Sequence, residues 1–116
     1  MNINQLQNLL NSLIGKNINN LGNANQTKII RLYDSMLTYQ RRNSKISINI
    51  SHLVDAFNNM NGSFSSRDLK SYNQDIFDSA AGGHSCNCTL LMALARLLGL
   101  GNIRGKGVRG NPFEFY

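Results

Sequence analysis

The stretch Asn25–Arg42, NQTKIIRLYDSMLTYQRR, decides how the chain is to be read. Its apolar side chains Ile29, Leu32, Tyr33, Met36, Leu37 and Tyr39 recur at helical spacing, which predicts a helix. Upstream, Ile3, Leu6, Leu9, Leu10, Leu13 and Ile14 repeat at the same period and end at Gly15. Lys16–Gln26 then reads as a polar linker. With both helices in place, residues 1–44 form an N-terminal helical extension.

Downstream, Lys45–Ile50 alternates apolar and polar residues, as a strand or an extended lead-in would. Ser51 is positioned to cap a helix over His52–Met60. Asn61-Gly62-Ser63 is a turn signal, and Ser65 or Ser66 caps a helix running from Arg67 to Ala80. Ala81-Gly82-Gly83 breaks that helix, and Ser85 or Asn87 starts the next, Cys86–Leu98. Beyond it, Gly99, Gly101, Gly105, Gly107 and Gly110 punctuate a basic segment. Pro112-Phe113-Glu114-Phe115-Tyr116 alternates as a strand should, so the end of the chain predicts a β-hairpin.

Charge narrows the function. The 116 residues carry 12 Lys+Arg against 6 Asp+Glu, a net +6, which favours a polyanionic partner. The bases gather in two stretches, Lys28–Lys45 and Arg96–Arg109, with a mildly acidic middle between them. In the first stretch, Arg31, Arg41, Arg42 and Lys45 fit a solvent-facing helix end as well as they fit phosphate contact. No run of about 18 apolar residues exists to cross a membrane. No secretory signal opens the chain, so a cytoplasmic location is expected, nucleoid-associated in a bacterial, archaeal or corresponding viral setting.

The order helix, turn, helix, turn, helix, basic hairpin resembles the winged helix-turn-helix superfamily over residues 45–116. The resemblance is carried by Phe64-Ser65-Ser66-Arg67-Asp68-Leu69 at a second-helix entry, and by Leu94, Leu97, Leu100, Gly101 and Ile103 leaving the last helix. It is also carried by Arg104-Gly105-Lys106-Gly107-Val108-Arg109-Gly110-Asn111-Pro112-Phe113, which looks like a wing. It implies a mainly α fold with a small C-terminal β-hairpin, a recognition helix at about 85–98 in the major groove and a wing at 104–111 on the DNA backbone. His84, Ser85, Asn87 and Thr89 are then the candidate base readers, with Arg96, Arg104, Lys106 and Arg109 on phosphates. Asn87 fits an adenine edge, and the wing glycines would let the backbone approach phosphates closely.

The expected function is sequence-specific binding of double-stranded DNA by a transcriptional regulator. Apolar surface on the two N-terminal helices predicts a homodimer. The alternative is a winged-helix protein-interaction module in a larger assembly. Neither a catalytic group nor a cofactor is expected. His84-x-Cys86-x-Cys88 matches no usual structural zinc spacing, so no metal is expected either. A Cys86 or Cys88 nucleophile with His84 or His52 as base lacks an orienting third group.

Overall fold

A computed structural model describes residues 1–19 and 26–116. Asn25 and most of the predicted polar linker lie outside the described residues. From Gln26 onward the predicted second helix is replaced by two antiparallel strands, β2 (Gln26–Tyr33) and β3 (Met36–Arg41). They sit in a four-stranded sheet with β1 (Asn17–Asn19) and β4 (Ser44–Asn49), in the order β1-β2-β3-β4. Among the described residues helix accounts for 43% and strand for 28%, so the fold is α+β and the mainly α expectation is overturned.

Local residue chemistry favours strands here. Thr27, Ile29, Ile30, Tyr33, Thr38 and Tyr39 are β-branched or aromatic and favour a pleated surface. The chain reverses at Asp34-Ser35, both with positive φ (50° and 67°), as a tight hairpin turn requires. A register shift between Ile29 and Arg31 inserts an extra residue into β2. Inward-facing positions therefore step from buried Ile29 to half-buried Leu32, a spacing of three that imitates a helix. Tyr33 and Met36, paired on the opposite face, complete the false period.

The inner face of the sheet carries Thr27, Ile29, Leu37, Tyr39, Ile46 and Ile48, all buried. Helix α1 (Ile3–Leu13) packs against β2 and buries Leu6 and Leu10 completely. Leu9 and Leu13 pack half-buried beside them while Ile3 and Ile14 stay exposed, so most of the apolar stripe that motivated a homodimer is spent in the chain's own core. The 44/45 division falls where β4 pairs along its length with β3, and one core cluster runs from Leu6 to Phe115.

Helix α2 (Ile50–Asn59) follows β4 directly, capped by the Asn49 side chain accepting from the Ser51 N–H. Strand β5 (Phe64–Ser65) leads into α3 (Ser66–Tyr72) through a capping box between Ser65 and Asp68. The predicted continuous helix to Ala80 is broken into α3, α4 (Gln74–Phe77) and a 3-10 turn, Ser79–Ala81. Helix α5 (Cys86–Leu97) comes next, followed by β6 (Ile103–Arg104) and β7 (Glu114–Phe115). The last two strands join β5 in a second sheet of order β5-β7-β6. Phe115 stacks on Phe64 at 5.2 Å and meets Phe57 edge-on at 5.5 Å, which ties the C-terminus into the core.

Candidate nucleic-acid interface

Helix α5 is enclosed on nearly every side. Asn87, Cys88 and every residue from Leu90 to Ala95 are buried. A helix lying in a major groove must present a polar face to bases, and this one presents its middle to the protein. Asn87, expected to read an adenine edge, is 2% exposed and uses both amide atoms internally. Its Oδ1 accepts from the Tyr39 hydroxyl at 2.6 Å, and its Nδ2 donates to the Ile76 carbonyl at 2.9 Å. Enclosed in this way, the amide lies out of reach of a base edge. Asn87 is corrected from a reader to a buried polar link between β3, α4 and α5.

Thr89 has the same fate. Its hydroxyl accepts from Arg41 Nη1 at 2.6 Å and donates to the Cys86 carbonyl at 3.3 Å. Arg41 also donates to Thr27 Oγ1 at 3.0 Å, so a base expected either at a solvent-facing helix end or on a phosphate instead stitches the sheet to the first turn of α5. Ser85 is half-buried, and its Oγ shares a hydrogen bond with Ser79 Oγ at 2.9 Å. Of the four expected readers His84 alone is exposed and makes no side-chain hydrogen bond among the described residues. Arg96 is exposed beside Leu13, Asn17, Ile18, Ala93 and Leu97, around a shallow groove.

The C-terminal hairpin is the opposite case. Its base is β6 pairing β7, and its tip closes through the Val108–Asn111 bridge with Gly110 at φ 85°. Arg104 is spoken for: it donates to Glu114 at 3.0–3.1 Å and lies 4.7 Å over the Tyr116 ring. Lys106 and Arg109 are exposed and make no side-chain hydrogen bond or ion pair among the described residues. Gly105 and Gly107 are required by close packing within the hairpin, whereas Gly110 faces open space. A Cβ at Gly105 would collide with the Pro112 carbonyl oxygen, and one at Gly107 would collide with the Phe113 ring.

Burial pushes the Cys88 thiol up to about 11, so it is protonated and a poor nucleophile at neutral pH. Burial likewise raises the Tyr39 phenol. Among the described residues no three of His, Cys, Asp and Glu gather in a metal-binding group. No described helix is long and apolar enough to cross a membrane.

Two features escaped the sequence reading. Arg41 and Tyr39 form the seam to α5, and no local signal in β3 announces a partner 48 residues away. The outer face of the first sheet gathers Lys28, Arg31, Tyr33, Met36 and Lys45, which only strand alternation about the bulge could have grouped. No protein-family model, curated protein or solved structure matches the chain.

Proposed function

We propose that the protein binds double-stranded DNA without catalysis, holding the phosphate backbone through the tip of its C-terminal hairpin. The observation that carries the proposal is the pair Lys106 and Arg109, exposed and uncommitted at the end of a hairpin that Phe113 and Phe115 anchor to the core. Cations that the fold has not neutralised can replace the counterions condensed on a duplex. A role in transcription regulation, in the cytoplasm or on the nucleoid, is the biological form of this proposal. Sequence choice would then rest on residues other than Asn87, with His84 the first to test.

Titration of unrelated duplexes at two salt concentrations tests the proposal. Lys106→Ala/Arg109→Ala should weaken all duplexes alike and flatten the log–log salt slope by up to about 0.9 for each phosphate no longer neutralised. The melting temperature should stay put, because both side chains are exposed. An unchanged slope removes the hairpin from the interface and favours a protein-interaction module instead.

A further inference from the structure

The outer face of the β1–β4 sheet has a chemistry that the duplex proposal does not use. Beyond Gln26 at its edge, the strand register places its side chains in three rows. Asn17, Lys28, Gln40 and Lys45 form one, Arg31, Thr38 and Ser47 the next, and Tyr33, Met36 and Asn49 the third. No carboxylate occurs in any row; Asp34 sits in the adjoining turn. Lys28, Arg31 and Lys45 are exposed and make no side-chain hydrogen bond or ion pair among the described residues. Tyr33 is 78% exposed and Met36, directly opposite it, 43%. With Arg31, Thr38 and Ser47 they line an open hollow of about 360 Å³. Thr38 and Ser47 share one hydrogen bond at 3.0 Å, which leaves a hydroxyl proton to offer from the floor of the hollow.

An exposed aromatic ring costs a folded protein nothing when solitary, but here it stands two residues from an uncommitted guanidinium on the same face. Strand geometry puts Tyr33 about 7 Å beyond Arg31, and Lys28 and Lys45 about 10 Å apart across two strand spacings. The platform is fixed, because the Ser35 carbonyl of the turn accepts from the Ile50 N–H at 2.9 Å where α2 begins. A planar ring beside a line of free cations on a rigid sheet suits a ligand that has flat π faces and regularly spaced anionic groups. A duplex hides its base faces in the stack, and an acidic peptide has no such faces in regular supply.

We propose that this sheet face binds single-stranded nucleic acid, with a base stacked on Tyr33 against Met36 and neighbouring phosphates on Arg31, Lys28 and Lys45. The site is separate from the hairpin tip, so the two proposals stand or fall independently.

The test uses the full chain, fluorescence anisotropy, labelled dT12 and U12, a labelled duplex and poly-glutamate. Tyr33→Ala should weaken dT12 or U12 binding roughly 5- to 100-fold, and Tyr33→Phe should restore it to within about twofold. Arg31→Ala should flatten the single-strand salt slope by about 0.7. Thermal melts should show every variant folded, since each altered side chain is exposed. Preference between dT12 and U12 identifies the source as DNA or RNA. Loss of duplex binding alone in Lys106→Ala/Arg109→Ala, with dT12 binding kept, supports the separate site. The proposal is overturned if neither oligomer binds at about 50 mM salt, if Tyr33→Ala binds like the parent, or if poly-glutamate competes as well as the oligomer.

Discussion

Helix α5 and the C-terminal hairpin both carry polar and basic residues, and they dispose of them in opposite ways. Asn87 and Thr89 on α5 are bonded to Tyr39, Ile76, Arg41 and Cys86. Lys106 and Arg109 on the hairpin are bonded to no side chain among the described residues. A buried amide must find partners inside the protein or lose its hydrogen bonds with water, so burial commits it to the fold. An exposed cation meets no such penalty and stays available to a ligand. The difference between the two regions is one of commitment rather than residue type. It makes α5 a part of the architecture and the hairpin tip a part of the surface.

The comparison can be broken most forcefully at Asn87. Asn87→Ala orphans the buried Tyr39 hydroxyl and leaves the Ile76 carbonyl with only the His84 N–H, at 3.0 Å, and should cost about 2–3 kcal/mol of stability. Denaturant titration checks this, alongside duplex binding by the fraction that stays folded. A stable variant that lost one preferred DNA sequence would return Asn87 to the interface.

Alkaline pH sharpens the same contrast. In the folded chain the Cys88 thiol is raised from 9.0 to about 11 and the Tyr39 phenol is raised too, both chiefly by burial. Raised values mean that the folded state holds protons the unfolded chain would release. The stability they contribute is fully present below pH 9 and is lost as pH climbs toward 11, by up to about 2–3 kcal/mol for the thiol. Urea midpoints should be flat below pH 9 and fall above it, and Cys88→Ala should reduce that fall.

The hairpin's own rigidity gives the smallest effects. Gly107→Ala drives a methyl into the Phe113 ring from a backbone at φ 71°, and should cost about 1–3 kcal/mol. Gly110→Ala has open space around it and only the left-handed backbone against it, so about 1 kcal/mol is expected. Thermal melts of the pair read the difference; equal losses would mean that Phe113 does not brace the loop.

Much of the C-terminal half was legible without coordinates. A cap at Ser65 or Ser66 with Asp68 in the first turn, a helix start at Ser85 or Asn87 after Gly82-Gly83, and a glycine-rich hairpin near the end all rest on short-range rules; the structure selects Ser65, through its capping box, and Ser85, which makes no side-chain capping bond. The extent of α5 was readable too, but its burial was not. A leucine-rich helix has the same pattern whether one face or all of it is covered.

The sequence by itself determined the basic balance, the positions of most helices and the cationic hairpin, because composition and local capping depend on residues a few positions apart. The tertiary structure alone decided that residues 26–41 are strands and that their inner face closes over α5. A bulge that mixes periods of two and three leaves no clean local signature, and the Arg41–Thr89 and Tyr39–Asn87 bonds join residues 48 positions apart. Which polar groups remain free for a ligand follows from those long-range bonds, and so the candidate site could be located only after the fold had consumed its share.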